Sequence, residues 1–320
     1  MSFEHAPIPD TRFHGGLPWI NSQSLDVSNS LAGNFADSAF AEMKHSVRRR
    51  RYQELQRGKM AMSRATRILS DGIYFGEGPR WRDGRLWFSD FLAHAVKSVS
   101  PDGDLRTEFV IDDQPSGLGW KPDGSMLIVS MTKRHVLRRS TAGVIGVHAD
   151  LSHIAAFHCN DMVVEPSGGA FVGNFGFDLD HEMTTRGRRQ VYADHPTAQL
   201  AYVAPNGEAS VAASEMHFPN GSVITPDGKT LIVGETLGGC LTAFDLGAGG
   251  ALSNRRVWAT TFPRAPDGIT LDANGAIWIA SPGTPECVRV ARKGLGNHRH
   301  RTTMLRVHAG RRRRGAPCSC

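Results

Sequence analysis

Five polar residues of the 320-residue chain recur at a fixed distance before a short turn. The turns are Asp83-Gly84, Asp123-Gly124, Ser167-Gly168, Asp227-Gly228 and Asn274-Gly275, and each lies six or seven residues after Glu77, Ser116, Asn160, Asn220 or Asp267, respectively. Repeated units can bring equivalent residues to one shared axis. All of these polar residues except Ser116 carry a carboxylate or amide oxygen, so the spacing predicts a ring of oxygen ligands, the kind that Ca²⁺, Mg²⁺ and Mn²⁺ prefer.

Each of these residues also has a simpler interpretation. Glu77 stands between two glycines and could be an exposed turn residue, whereas Asn220 and Asp267 precede a glycine and could only be forming turns. Their common distance to the next turn favours a site over these alternatives. Ser116 is interpreted as a small pocket-lining residue and not as a nucleophile, because no Gly-x-Ser-x-Gly sequence surrounds it.

The elements that would position these residues are short strands. Apolar runs such as 126–129, 231–233 and 277–279 follow the turns, and helical periodicity is nearly absent, which predicts an all-β chain. Successive turn glycines lie 40, 44, 60 and 47 residues apart. This period is typical of β-propeller blades of several strands each. The excess in the third interval, around Asp178–His195, is predicted to be a surface loop.

Five such units occur, and a sixth turn is missing. We expect a propeller domain at 66–290, a disordered extension at 1–65 and a basic tail at 291–320 that shows few strand signals. Propellers normally close by pairing strands from both termini. The hypothesis is therefore that 291–320 replaces a native last blade; a natural basic tail on a five-bladed ring is the alternative.

The charge distribution argues against nucleic-acid binding. The net charge is +6, but residues 1–67 hold ten Lys/Arg against six Asp/Glu, residues 68–290 hold eighteen against twenty-five, and residues 291–320 hold nine against none. The arginine runs at 48–51 and 311–314 are typical of solvated tails, whereas a DNA-binding fold needs its basic stripe on the folded surface.

The cysteines and hydropathy favour a cytoplasmic protein that does not enter the membrane. The five cysteines are scattered and odd in number, which is not the pattern of a disulfide framework. No apolar stretch reaches the ~18 residues of a membrane span, and the N-terminal residues lack a signal-peptide pattern.

Four motifs, in register with the repeat, resemble the SMP-30/gluconolactonase family. They are Gly76-Glu77-Gly78-Pro79-Arg80-Trp81, His158-Cys159-Asn160-Asp161-Met162, Phe218-Pro219-Asn220-Gly221 and Ala265-Pro266-Asp267-Gly268-Ile269. The resemblance covers about 68–290. It implies a six-bladed propeller with a divalent metal in its central pocket, whose last blade is incomplete or replaced here, and hydrolysis of sugar lactones or related esters.

The resemblance also implies roles for individual residues. Glu77, Asn220 and Asp267 would be metal ligands, with Asn160 as a fourth ligand or a substrate contact. Asp267 would be the general base, and Asn160 would assist catalysis. The residues expected in the second shell or beside the substrate are Asp161, Ser116 and His158.

The expected reaction joins a metal ion to these side chains. One divalent ion, with Ca²⁺ favoured and Mg²⁺, Mn²⁺ or Zn²⁺ as alternatives, would polarise the carbonyl of a lactone or small ester and activate water. The alternatives are a non-catalytic propeller that binds a small molecule or a protein partner, and an incomplete ring without activity. The sequence favours no oligomeric state.

Overall fold

The structure is a computed structural model, and it describes residues 68–282 and 286–292. These residues form five antiparallel sheets, each made of consecutive strands in chain order. The chain is therefore a β-propeller, as predicted, and the sheets are its blades. The predicted extension at 1–65 and nearly all of the predicted tail at 291–320 lie outside the described residues.

The strands are assigned to the blades as follows. Blade 1 contains β1 (Gly76–Arg82), β2 (Arg85–Asp90), β3 (Ala95–Val99) and β4 (Leu105–Val110). Blade 2 contains β5 (Pro115–Trp120), β6 (Met126–Ser130), β7 (His135–Arg139) and β8 (Ile145–Asp150). Blade 3 contains β9 (Cys159–Val164), β10 (Ala170–Asn174), β11 (Ala198–Val203) and β12 (Ala209–Met216). Blade 4 contains β13 (Pro219–Ile224), β14 (Thr230–Glu235), β15 (Cys240–Leu246) and β16 (Leu252–Thr260). Blade 5 contains β17 (Ile269–Leu271), β18 (Ile277–Ser281) and β19 (Glu286–Val290), and it has three strands within the described ranges.

The turns between the first two strands of each blade confirm the sequence repeat. Gly84, Gly124, Gly168, Gly228 and Gly275 all adopt positive φ. Glycine reaches this backbone region without a steric penalty, which is why these positions carry it. Since each turn returns the chain along the strand before it, the beginning of the first strand and the link between the second and third strands lie at the same end of a blade.

Apolar side chains fill the space between neighbouring blades. Leu118 and Ile128 of blade 2 pack against Val96 of blade 1, where Trp87 and Trp120 meet edge to face at 5.6 Å. Similar buried clusters join blades 2 and 3, blades 3 and 4, and blades 4 and 5. The core is therefore a series of inter-blade layers around the axis.

The insertion in blade 3 is helical, so the prediction of a surface loop at 178–195 was wrong. It forms α1 (Leu179–Thr185) and α2 (Arg188–Ala193). Asp178 caps α1 by accepting a hydrogen bond from the backbone N–H of His181 at 3.0 Å. Apolar residues of both helices pack against Phe218 and Leu237 of blade 4.

Single turns of 3₁₀-helix at Phe91–Ala93 and Ala248–Gly250 complete the helical content of the described chain. Over the same residues, no helix has both the length and the apolar content that a membrane crossing requires.

Candidate metal centre

The first strands of blades 1 to 4 each contain a β-bulge at the position of the predicted site residue. In β1, Glu77 lies opposite Ser89 but Arg80 lies opposite Trp87, so three steps on one strand match two on the other. Equivalent shifts occur at Pro115–Leu118, Cys159–Met162 and Pro219–Ser222. A bulge changes the direction of the side chains at the strand end. The repeated motif therefore encodes a repeated distortion beside one polar residue in each of these four strands.

Glycines beside these polar residues let the first strands of adjacent blades approach closely. A Cβ atom at Gly78 would lie 2.8 Å from the Ser116 carbonyl oxygen, and one at Gly221 would lie 2.5 Å from the Asp267 carbonyl oxygen. The Gly221 N–H also donates to that oxygen at 3.1 Å. Only glycine allows such a backbone contact. The Gly-Pro and Asn-Gly elements of the motifs are thus needed for the narrow axis around the site.

Two carboxylates from opposite ends of the described blade series, Glu77 and Asp267, lie close enough for their charges to interact. Burial, followed by the negative charges of Asp267 and Asp161, holds the pKa of Glu77 well above its usual range. Burial also raises the pKa of Asp267 to about 6, with the charge of Asp161 adding to the effect and a hydrogen bond from Asn220 opposing it. Three acidic groups that repel one another make this region suited to a cation.

Asn220 links the Asp267 carboxylate to blade 4. Its Nδ2 donates to Asp267 Oδ1 at 2.8 Å and to Thr236 Oγ1 at 3.1 Å, and the Thr236 hydroxyl donates to the Pro266 carbonyl at 2.7 Å. This network fixes the orientation of the amide, because both of its partners act as acceptors. The Oδ1 atom is buried and lacks a hydrogen-bond partner among the described residues.

Asn160 and Ser116 form a second pair on blades 3 and 2. The Ser116 hydroxyl donates to Asn160 Oδ1 at 3.2 Å, and both residues are buried. Ser116 therefore orients an amide, which agrees with the interpretation that it lines the pocket. The amide oxygen keeps one lone pair, and the Nδ2 group of Asn160 is available as a donor.

His158 lies two residues before Asn160 within a group of aromatic rings. Its ring stacks on Phe157 at a centroid distance of 4.0 Å and meets the edge of Phe175 at 6.4 Å. Burial is the main reason that its pKa lies below the usual value. Since the contacts that define its position are aromatic, its role beside the substrate stays a prediction.

Arg80 and Thr236 belong to the site but were not identified from the sequence. Arg80 is three residues after Glu77 and contacts Asp161, which is 81 positions further along the chain. Its place inside the Gly-Glu-Gly-Pro-Arg-Trp motif was the available signal. Thr236 follows the end of β14 and carries no motif of its own; only the fold shows that it holds Asn220.

The donor set fits a hard divalent cation. Within the described ranges, no three Asp, Glu, His or Cys side chains converge in a metal-binding arrangement, so a cation here needs amide oxygens to complete its shell. The buried and unpaired Asn220 Oδ1 supplies one beside the Asp267 carboxylate. Carboxylate and amide oxygens are ligands of Ca²⁺ and related ions.

The fold and the site together define a class of protein: a β-propeller with acidic and amide side chains near its axis. The family described as SMP-30/Gluconolactonase/LRE-like region matches residues 75–306. The chain belongs to this family, which confirms the resemblance found in the four motifs.

Comparison with individual proteins gives the same relationship. The chain is 25% identical to the pentonolactonase XacC of Haloferax volcanii over 225 residues, which cover 67% of this chain and 69% of the relative. The calcium-binding protein regucalcin of Agrobacterium tumefaciens matches with a TM-score of 0.57 and 25% identity, covering 71% of this chain and 74% of that one. A gluconolactonase of Xanthomonas campestris matches in fold with a TM-score of 0.54 and 22% identity, covering 70% and 75% of the two chains.

Proposed function

We propose that the protein is a divalent-metal-dependent hydrolase that opens a sugar lactone or a related small ester. The observation that carries the proposal is the buried Asn220 Oδ1, which has no partner among the described residues and is held beside an acidic group of raised pKa. A cation would satisfy this oxygen and relieve the repulsion between the carboxylates. The lactonases among the relatives support the substrate class.

The side chains that would hold the ion are Glu77, Asn220 and Asp267, with Asn160 as a fourth ligand or a substrate contact. Two carboxylates would balance the charge of a divalent ion. Ca²⁺ is the first choice because the donors are all oxygen and a relative is a calcium-binding protein, with Mg²⁺, Mn²⁺ and Zn²⁺ as alternatives. When bound, such an ion polarises a carbonyl oxygen and lowers the pKa of water.

Asp267 would act as the general base. Burial raises its pKa to about 6 in the metal-free protein, and a bound cation would favour the ionised form that a general base needs. The Asn220 amide donates a hydrogen bond to Oδ1 of Asp267. This leaves Oδ2 to take a proton from a water molecule that attacks the substrate carbonyl.

Asn160 would position the substrate. Its Oδ1 accepts the Ser116 hydroxyl, so the amide is held with the Nδ2 group free to donate to a substrate oxygen. A donor held in place before the reaction stabilises negative charge as it develops on the carbonyl. The nearby Asp161 charge is expected to raise the basicity of Asp267.

Metal binding and hydrolysis by purified protein test the proposal together. We expect one Ca²⁺ or Mn²⁺ per chain by isothermal titration calorimetry, and metal-dependent hydrolysis across a panel of aldonolactones and small esters. The Glu77→Gln/Asp267→Asn double variant should lose both. Asp112→Asn is a matched control, because Asp112 is an exposed carboxylate paired with Lys133 and is not one of the proposed ligands.

The outcomes separate the hydrolase from the alternative of a binding propeller. Unchanged metal binding in the double variant would show that the site is assigned wrongly. Folded, metal-loaded wild type that hydrolyses no member of the panel would favour a protein that binds a small molecule or a protein partner. We also propose a cytoplasmic location for this activity, which the odd, scattered cysteines of the sequence favour.

A further inference from the structure

Arg80 connects two blades that are not neighbours. From β1 of blade 1, its guanidinium donates to the Met162 carbonyl of blade 3 at 2.5 Å and to Asp161 Oδ1 at 3.2 Å. It also donates to the Pro79 carbonyl of its own strand at 2.8 Å. These contacts bring one positive charge next to Asp161. The Arg80 side chain is 25% exposed and that of Asp161 is 5% exposed.

Arg80 and the backbone fix the orientation of the Asp161 side chain. Asp161 Oδ1 accepts from both the Arg80 guanidinium and the Met162 N–H, the latter at 2.7 Å. Two donors on one oxygen, one of them charged, hold a carboxylate strongly. Asp161 is nevertheless near enough to Glu77 and Asp267 for its charge to act on both.

We infer that Arg80 is a positioning residue that holds Asp161 out of the cation site and thereby makes the site selective for divalent ions. Counted as formal charges, Glu77, Asp161 and Asp267 sum to −3, and the Arg80 guanidinium paired with Asp161 brings the total to −2. This matches the charge of a divalent ion. The inference rests on the proposed function in one respect, namely that a cation binds between Glu77, Asn220 and Asp267.

Removal of the guanidinium has a defined electrostatic consequence. The group would carry a formal charge of −3, and Asp161 would keep only the backbone N–H of Met162 as a donor, which leaves it freer to turn towards the ion as an additional oxygen ligand. Both changes favour a trivalent ion over a divalent one, because the attraction grows with the product of the charges. A purely structural role, in which Arg80 only ties blade 1 to blade 3, would lower stability without changing this preference.

The test compares the affinities of Ca²⁺ and Tb³⁺ for the purified full-length protein, using calorimetry for Ca²⁺ and terbium luminescence for Tb³⁺. Arg80→Gln should raise the ratio of Tb³⁺ to Ca²⁺ affinity by about tenfold or more, as expected for one uncompensated charge close to the ion. Arg80→Lys, which keeps the charge, should stay near the wild-type ratio. Adding Asp161→Asn to Arg80→Gln should return the ratio to that level.

Asp161→Asn alone provides an independent test if Arg80→Gln does not fold. It leaves the Arg80 charge unbalanced, so the ratio should fall below that of wild type. An unchanged ratio in folded Arg80→Gln, or in Asp161→Asn, would overturn the inference while leaving the proposed function intact. Wild-type protein that binds neither ion would overturn the proposed function, and this inference with it.

Discussion

Two sets of carboxylates in this propeller, one buried within the blades and one half-buried near the axis, differ in how their charges are satisfied. Asp90 lies within blade 1, where it accepts from the backbone N–H groups of Tyr74 and Phe75 at 3.0 and 2.9 Å and from Lys97 Nζ at 2.7 Å. Glu235, in blade 4, accepts from the His217 N–H at 2.7 Å, and Arg255 lies 3.4 Å away. These acids hold the segments that lead into β1 and β13.

The carboxylates on the axis have fewer partners. Glu77 accepts from the Gly78 backbone and Asp267 from Asn220, and the described residues give neither of them a cationic partner. Buried charges are normally paired because desolvation is costly. The difference shows where the fold uses acids for its own stability and where it keeps them available for a ligand.

The largest expected effect is on the axis. Asp267→Asn should lower hydrolysis by about 10²- to 10⁴-fold, the usual contribution of a general base, and it should weaken cation binding. The fold should persist, because an amide oxygen can still accept from Asn220. Initial rates on a lactone panel and calorimetric titration with Ca²⁺ measure the two effects. Wild-type rates in this variant would contradict the assignment of the base.

The matching substitution within a blade should act on stability instead. Asp90→Ala leaves the Lys97 ammonium buried and unpaired, and it removes the acceptor of two backbone N–H groups, so we expect a loss of about 3–5 kcal/mol in the free energy of unfolding. Urea denaturation measures this loss. The protein that remains folded should bind one cation with wild-type affinity. If Asp90→Ala instead lost cation binding without losing stability, the proposed difference in role between the two sets of carboxylates would be wrong.

The two sets also predict a pH dependence. Folding raises the pKa of Asp267 to about 6, so its contribution to the stability of the metal-free protein is present at low pH and is lost as pH rises through about 6. The pKa of Glu77 is raised as well, so its contribution is also present at low pH and lost as pH rises. Cation affinity should change in the opposite direction, because protons compete with the ion. Melting temperatures from pH 5 to 8, with chelator and with excess Ca²⁺, measure both. The stabilisation by Ca²⁺ should be larger at pH 8 than at pH 5; equal stabilisation would show that these acids do not hold the ion.

The repeat made much of this fold predictable. The five turn glycines adopt positive φ, which makes their spacing visible in the sequence, and in blades 1 to 4 the polar residue is the second residue of the first strand. Burial of Asn160 and Asn220 near the axis follows from that register. Because neighbouring blades are copies of one unit, local signals were enough to indicate a non-local arrangement.

Contacts that occur only once in the propeller could not be predicted from the repeat. The Arg80–Asp161 pair joins residues that have different places in their blades, and the Thr236 hydroxyl acts through an amide 16 positions earlier. The helices α1 and α2 were missed because their stability comes from packing against Phe218 and Leu237, not from a long periodic pattern. Specific partners of this kind depend on the assembled ring.

The smallest expected effect is that of Thr236, which orients Asn220 but is not itself a proposed ligand of the cation. Thr236→Val removes the hydroxyl that accepts from Asn220 Nδ2 and donates to the Pro266 carbonyl, at little change in volume. One hydrogen bond is worth about 1 kcal/mol, so Ca²⁺ affinity should fall by about three- to tenfold. Thr236→Ser keeps the hydroxyl and should bind Ca²⁺ as wild type does. If both variants bind Ca²⁺ equally well, the hydrogen bond from Asn220 to Asp267 is sufficient to orient the amide. The Thr236 hydroxyl would then play no part in positioning Asn220.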